Sequence, residues 1–336
     1  MRAIVTGGAG FIGSHVVDAV IDDGGEVLIV DDLRSGRLAN LDRGSPHLAQ
    51  VDIRDGDALT ATFADFRPEV VFHLAAQIDV RASMTDPSHD ASINVLGSVN
   101  VFAAAAVAGA RRVVNTSTGG AIYGECSQIP TPETVTPRPS SAYGLSKWAA
   151  EQYGDWFGRA RGLDVVTLRY GNMYGPRQDP KGDAGVIAVF GDQVLTGGTP
   201  TIYGDGTQTR DFVYVGDIAA ANLAAAAATE LPHRQYNIGS GVEVSVRELV
   251  DALAGAAGQK RVLWTNAEAK QGGGLQVGQL RDVRPRFAAA RPGEVHRSCL
   301  DVSRARAELG LPAATPLVDG LAATLRWLQE AAAPSS

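Results

Sequence analysis

The sequence predicts an α/β protein: a doubly wound parallel sheet followed by a smaller C-terminal α/β lobe. Three observations carry this expectation. Short apolar, β-branched runs alternate with longer helical patterns through the first half of the chain, a glycine-rich turn joins the first run to the first helix, and after residue 170 the rhythm loosens into Gly-, Pro- and Asp-rich stretches at 175–185, 197–210 and 270–294. Taken in order, 3–6, 26–30, 70–74 and 112–117 read as strands, with helix candidates 12–23, 56–65 and 92–109 between them. A βαβα series of this kind places parallel strands side by side and helices on both faces. Residues 165–169 read as a further strand, preceded by a helix at 143–161, and beyond them lie helices near 186–196, 216–228, 245–257 and 318–331. The stretch 270–293, rich in Gly, Gln, Arg and Pro, reads as a long loop. The expected division is 1–170 for the sheet domain, with further sheet contributions from about 211–240, and 171–330 mainly for the lobe.

Composition narrows the function classes. With 45% hydrophobic and 20% charged residues in 336, usage is that of an ordinary folded protein large enough for a sizeable core. A net charge of -7 disfavours nucleic acid or an anionic membrane as partner, so any anionic ligand must be met by local cations. Cys126 and Cys299 are far apart in the chain and lack metal-ligand spacing, which reads as a reduced pair and no metal site. The apolar stretch at the N-terminus breaks at once into glycines, and the alanine-rich runs 102–108 and 219–228 are too short to span a bilayer. A cytoplasmic location is the resulting expectation.

The glycine turn is Thr6-Gly7-Gly8-Ala9-Gly10-Phe11-Ile12-Gly13, straight after a strand and straight before an amphipathic helix. Glycines at 7, 10 and 13 allow the tight turn, the approach of backbone to a pyrophosphate and close helix-to-sheet packing, while the helix N-terminus favours the anion. This is the pattern of a Rossmann-type dinucleotide site. Asp31, at the end of the second strand, would accept hydrogen bonds from the adenosine ribose and repel a 2′-phosphate, which favours NAD over NADP; Arg34 nearby argues the other way.

Tyr143 and Lys147 stand four residues apart, one helical turn, so both project from the same face. A phenol is a poor base at neutral pH, but a neighbouring ammonium and a positive nicotinamide both favour its ionised form. Such a pair can move a proton while a dinucleotide moves a hydride.

At this point the chain resembles the extended short-chain dehydrogenase/reductases that act on nucleotide sugars, through TGGAGFIGSH at 6–15, HLAAQ at 73–77, STGGAIYG at 117–124, YGLSK at 143–147, RYGNMYGP at 169–176, TRDFVYVGD at 209–217 and RPGEVHRSCLD at 291–301. Within that family it looks most like the bacterial UDP-hexose 4-epimerases of the variant with two glycines in place of the second and third active-site polar residues. The resemblance implies that Gly7, Gly10, Phe11, Ile12 and Gly13 cradle the pyrophosphate, that Asp31 takes the adenosine ribose and that Asp52 and Ile53 flank adenine. Leu74, Ala75, Ala76 and Asn94 would line the cofactor, Lys147 would hold the nicotinamide ribose and Tyr170 would pack near the ring. Tyr143 becomes the acid/base, and Thr118, assisted by Ser117, would bond the sugar hydroxyl being oxidised. For the UDP-sugar, Asn172 and Arg210 would contact diphosphate, Tyr203 would stack near uracil, and Arg291 with Glu294 would bind diphosphate and ribose. A purely structural alternative for Arg210 is pairing with Asp211 or Asp217.

The implied reaction is removal of the C4 hydroxyl proton by Tyr143 with hydride passing to NAD, rotation of the 4-keto sugar, and hydride return to the other face. Related dehydratases carry an Asp-Glu dipeptide in the stretch that here reads Thr118-Gly119-Gly120-Ala121-Ile122-Tyr123, and glycine has no side chain to move a proton; Glu125 is the nearest substitute. Glucuronate-specific epimerases carry an arginine where this chain has Asp179, which would repel a substrate carboxylate. Ser298 stands where epimerases restricted to glucose and galactose have a bulky tyrosine, so some turnover of UDP-GlcNAc and UDP-GalNAc is expected. A lysine of some epimerases is Ile78 here. Other readings are a dehydratase, a glucuronate 4-epimerase, a 4-keto reductase consuming NADPH and a scaffold that has lost its chemistry. The apolar helices 92–109 and 143–161 imply, by the same resemblance, a homodimer joined through a four-helix bundle.

Overall fold

The computed structural model describes residues 1–41, 47–180, 185–259, 261–264, 282–290 and 295–332. Among these, seven parallel strands form the main sheet in the order β10-β6-β5-β4-β1-β2-β3: β1 (Arg2–Thr6), β2 (Glu26–Val30), β3 (His47–Ala49), β4 (Val70–His73), β5 (Arg112–Thr118), β6 (Asp164–Tyr170) and β10 (Gln235–Ile238). The strand order reverses between β1 and β4, where a doubly wound sheet opens a crevice at the carboxyl ends of its strands.

Alternate residues along these strands serve opposite layers, as the two-residue period requires. Val5 and Val114 face α1 (Phe11–Asp22) and α9 (Val215–Ala227), whereas Ile4 and Val113 face α2 (Gly56–Phe66), α5 (Ser98–Val107) and α7 (Ala142–Arg161). Both faces are covered, which explains why the strands read as continuous apolar runs. Between α2 and α5 come α3 (Val80–Thr85), α4 (Pro87–Ala91) and a π-helical turn at Ser92–Gly97. The helical run Pro87–Val107 is therefore longer than the alanine stretch read at 102–108, and long and apolar enough to cross a membrane by length and composition alone; half of it is buried inside the chain.

After β6 the chain enters the lobe. There β7 (Asn172–Tyr174), β9 (Thr209–Tyr214) and β11 (Glu243–Ser245) form a three-stranded sheet, so 209–214 belongs here, and it is 235–238 that returns to the main sheet beside β6. Helices α8 (Val186–Thr196), α10 (Val246–Ala256) and α12 (Leu317–Ala332) enclose a separate apolar core around Phe190, Leu249, Leu253 and Leu325. The loop expected over 270–293 is corrected at its described end. Asp282–Val283 (β13) pairs with Arg261–Val262 (β12), and Arg286–Ala288 (β14) pairs with Thr201–Tyr203 (β8). Smaller helices α6 (Gly119–Ile122) and α11 (Ser303–Leu309) complete the set used below.

Candidate active site

The glycine turn has the shape the sequence implies. Gly7 adopts φ +69°, and a Cβ there would stand 2.7 Å from the Ala75 amide nitrogen. At Gly13 a Cβ would meet the Gly7 carbonyl oxygen at 2.0 Å, so the first turn of α1 presses on the loop as no other residue allows. Gly10 is the N-cap of α1 and brings no side-chain cap, which leaves the first amides of the helix aimed at the crevice beside Phe11 and Ile12. Asp31 braces the same loop: its carboxylate accepts from the Ala9 amide at 3.0 Å and the Leu33 amide at 2.8 Å. Burial, above all, raises its pKa. Each oxygen still has a lone pair for a ribose hydroxyl. Arg34 lies between Asp32 at 3.2 Å and Asp52 at 3.6 Å, so the one cation that favoured NADP is held by two carboxylates.

Asp52 is held by Arg54, whose guanidinium keeps the carboxyl below its usual range. Ile53 is buried with its side chain against Gly97. Leu74, Ala75 and Ala76 follow β4, with the Ala75 amide donating to Thr6 Oγ1 at 3.3 Å. Asn94 does not offer a free amide to this region. Its oxygen accepts from the Gln77 amide, and its nitrogen donates to the Gln77 carbonyl and to Asp90, so it clamps the loop that lines the crevice. Under the loop, Thr6, His73 and Ser98 form a buried chain of hydrogen bonds that ends on the Asn94 carbonyl. Burial, with Lys147 nearby, pushes His73 down to about 3, so the imidazole is neutral.

Tyr143 is set by three contacts of α7. Ser141 caps the helix by accepting from the Gly144 amide at 3.1 Å, the Tyr143 amide donates to the Ser83 hydroxyl at 3.0 Å, and Gly144 lets the first turn approach Ala121, where a Cβ would stand 2.8 Å from the carbonyl oxygen. The phenol is thereby brought near Thr118 at the end of β5, whose hydroxyl draws the phenol's pKa down. Lys147 lies one turn along, 2% exposed. Burial pushes its pKa down to about 8, against the pull of Glu151 and Asp90.

Within the chain, the pull expected of the neighbouring ammonium on the phenol is outweighed. Burial, then the Asp90 charge, pushes Tyr143 up to about 12, and only the Thr118 bond draws it down. The chain alone thus holds a proton on the phenol, and the positive nicotinamide ring of a bound NAD would supply the remaining pull. The bound NAD would bring the two-electron chemistry; Gly7, Gly10, Gly13, Asp31 and Lys147 are placed to hold it. The Ser117 hydroxyl, on the opposite side of β5 from Thr116, is buried with no hydrogen-bond partner among the described residues. Tyr170 is fully buried, its hydroxyl accepting from Asn222 at 2.7 Å, and it stands opposite Thr118 in the sheet register.

Beyond the strand ends, Asn172, Tyr203 and Arg210 line one cleft of about 370 Å³, floored by Val186, Val189 and Ile202. The resemblance assigns all three to the UDP part of the substrate, and the structure brings them to one cavity. The Asn172 amide oxygen lies buried without a partner among the described residues, 3.5 Å from where a Cβ of Gly120 would be. A Cβ on Gly119 would meet Leu300 at 2.5 Å. No carboxylate stands in this turn, and Glu125 is committed elsewhere, accepting from the His296 amide at 2.8 Å. Asp211 accepts from the Ser240, Gly241 and Leu300 amides and Asp217 from Thr315, contacts that tie the lobe together. Ser298 is half-buried on the strap between His296 and Leu300. Arg291 and Glu294 lie outside the described residues.

Asp179 accepts from Arg37, beside the glycine turn, while Arg177 pairs with Asp18 of α1 at 2.7 Å and the Pro176 carbonyl meets His15 at 3.0 Å. The segment 175–180 is a strap tied to the dinucleotide half. Sequence reasoning also missed Ser83, Gln77 and Asp90. For Asp90 a signal existed, since it precedes Asn94 by one helical turn.

Comparison with known proteins agrees with this geometry. Residues 3–239 match the family described as NAD dependent epimerase/dehydratase. A UDP-glucose 4-epimerase of Mycolicibacterium smegmatis is 41% identical over 98% of this chain and 99% of its own length. Among solved structures, a UDP-glucose 4-epimerase from Thermotoga maritima with UDP-glucose superposes with a TM-score of 0.89 at 39% identity, covering 98% of this chain and 99% of that one. A UDP-glucose 4-epimerase from Thermus thermophilus in complex with NAD gives 0.86 at 39% identity, covering 98% and 100%.

Proposed function

Because this chain belongs to the NAD dependent epimerase/dehydratase family, we propose that it inverts C4 of a UDP-hexose, interconverting UDP-glucose and UDP-galactose through a 4-keto sugar. Its activity is that of an NAD-dependent UDP-glucose 4-epimerase. The observation that carries this reading is the placing of Thr118 at the end of β5 beside Tyr143 of α7, with Lys147 one turn along that helix, together with the glycine turn and the cleft of Asn172, Tyr203 and Arg210.

In this site Thr118 holds the C4 hydroxyl and Tyr143 takes its proton as the carbon is oxidised, a transfer that requires both oxygens within hydrogen-bond reach. Lys147, one turn along α7, is placed to hold the nicotinamide ribose. The lobe anchors UDP through Arg210 and Asn172 while Gly119 and Gly120 leave the hexose without side-chain anchors, so the ring can turn between the two half-reactions. Tyr143 then returns the proton. The turn of Thr118, Gly119, Gly120 and Ala121 offers no acid to eliminate water, which favours epimerisation over dehydration. Incubation with UDP-galactose and no added NAD should yield UDP-glucose by chromatography; a dehydrated 4-keto-6-deoxy product, or no conversion, would overturn the reading.

Two finer readings go with it. The small Ser298 side chain supports acceptance of the N-acetylated sugars, and rapid UDP-glucose conversion with no detectable UDP-GlcNAc conversion would refute it. Leu96 and Val107 on one helix and Leu145, Tyr153 and Trp156 on α7 are exposed apolar residues, a stripe that a second copy would cover as a four-helix bundle; sedimentation at the mass of one chain would refute the homodimer. The two free cysteines fit a reducing compartment, the cytoplasm.

A further inference from the structure

The two glycines that follow Thr118 face different neighbours, and the epimerase reading leaves one of those neighbours without a part. A Cβ on Gly120 would meet the Asn172 amide oxygen at 3.5 Å, an ordinary contact beside the cleft. A Cβ on Gly119 would stand 2.5 and 2.8 Å from the two methyl groups of Leu300 and 3.2 Å from its Cγ. Carbon atoms in contact rest about 3.5–4.0 Å apart. The Leu300 side chain therefore fills the place that a side chain at 119 would need, and it bears on the first residue after the strand that carries Thr118.

Leu300 has little room to retreat. It is 1% exposed and packs with Ile122, Tyr123 and Val302 in a small apolar cluster. Its main chain is fixed from two sides. The Leu300 amide donates to the Asp211 carboxylate at 3.1 Å, next to Arg210 on β9. On the other side the Thr131 amide donates to the Cys299 carbonyl, and the Asp301 amide donates to the Thr131 carbonyl, each at 2.9 Å. A close-packed interior passes a displacement on to its neighbours instead of absorbing it. One residue thus bears on the end of β5 with its side chain and is tied to the lobe by its main chain.

We propose that Leu300 is a positioning residue for Thr118: by filling the space at Gly119 it sets where the end of β5, with the Thr118 hydroxyl, stands relative to the lobe that anchors UDP. The inference rests on Thr118 holding the sugar hydroxyl in the epimerase reading. Proton transfer from that hydroxyl needs the reacting oxygens within hydrogen-bond reach, and a misplacement of about 1 Å costs about 100-fold in rate. A methyl group on Gly119 is short of room against Leu300 by about 1 Å, so the strand end must give way. Arg210 and Asn172 lie on β9 and β7, away from that crowding. The tie from Leu300 to Asp211 runs through the main chain, so a smaller side chain at 300 leaves it in place.

Gly119→Ala, Leu300→Ala and the two together are compared with wild type in UDP-galactose conversion, with rates counted per chain that holds NAD. Gly119→Ala should lower kcat roughly 10–100-fold and leave KM within about twofold, because the crowding falls on Thr118 and not on UDP. In the double variant the methyl group at 119 enters the space the leucine has left, and kcat should recover about 10-fold or more over Gly119→Ala alone. A merely structural role would lower the thermal midpoint of each single variant and leave kcat per NAD-holding chain as it is, and that result overturns the proposal. So does a loss of kcat in Gly119→Ala that Leu300→Ala fails to relieve. Leu300→Val serves if the alanine protein does not fold; if neither folds, the leucine belongs to folding and the proposal is overturned. Wild-type protein that converts no UDP-galactose removes the epimerase reading and the proposal with it, whereas active wild type beside an unharmed Gly119→Ala removes the proposal alone.

Discussion

Lys147 should cost this protein stability. Its ammonium is almost fully enclosed, and burial lowers its pKa from 10.5 to about 8 even with Asp90 and Glu151 pulling the other way. A drop of that size corresponds to about 3 kcal/mol of penalty for holding the charge in the folded chain. Lys147→Met keeps the aliphatic stem and removes the charge, while Asp90 and Glu151 each lose a favourable neighbour. A net gain of about 1–3 kcal/mol at neutral pH follows, a rise of a few degrees in the thermal midpoint, in a protein that no longer turns over sugar. The sign with pH is fixed by proton linkage. Below pH 8 folded and unfolded chains both hold the proton and the penalty is whole; between 8 and 10.5 the unfolded chain binds more protons, so the wild-type protein gains stability as pH rises and the advantage of the methionine variant shrinks toward zero. Thermal unfolding of both proteins, stripped of nucleotide and followed by circular dichroism from neutral to alkaline pH, measures this directly. A methionine variant no more stable than wild type at neutral pH, or one whose advantage does not shrink above pH 8, would refute the reasoning.

Three further outcomes are expected. Gly13→Ala places a methyl 2.0 Å from the Gly7 carbonyl, an overpacking that costs roughly 1–3 kcal/mol and should fall on the dinucleotide, so nucleotide released on denaturation should drop well below one per chain; full NAD content would contradict it. Gly10→Ala, at 3.1 Å from the same oxygen, should be milder. Thr118→Val should lower kcat roughly 10–100-fold by removing a hydrogen bond to the reacting hydroxyl, and should move the acid limb of the pH profile upward, because the Thr118 bond lowers the Tyr143 pKa; an unmoved limb counts against that bond. Arg210→Met should raise KM for UDP-galactose about 10–100-fold with little change in kcat, as loss of a charge-assisted contact to diphosphate requires, and an unchanged KM would remove Arg210 from the cleft's function.

Much of the site was legible because its signals are local. A strand, a glycine turn and a helix follow one another within the first 22 residues, Asp31 closes the next strand, and Tyr143 and Lys147 share one helical turn. What escaped was long-range or depended on burial. Asp179 and Arg37 are 142 residues apart, and no spacing rule links them. Glu125 reads as a spare acid in sequence but is tied to a backbone amide 171 residues away. The strands at 47–49 and 286–288 have three residues each, too few for a period to show, and are held by pairing with β2 and β8. The balance on Tyr143 could not be read from spacing, which reveals the ammonium and hides the burial that opposes it. Asp90 reads as one more helix-surface carboxylate until α4 is seen against α7.

The central claim is that the C4 hydrogen leaves and returns within one closed site. UDP-galactose deuterated at C4, incubated with the protein in ordinary water without added NAD, should give UDP-glucose that keeps its deuterium at C4, with none appearing in solvent. Product carrying solvent hydrogen at that carbon would mean that the hydrogen is exchanged as a proton, and the account built on Tyr143, Lys147 and Thr118 would be wrong.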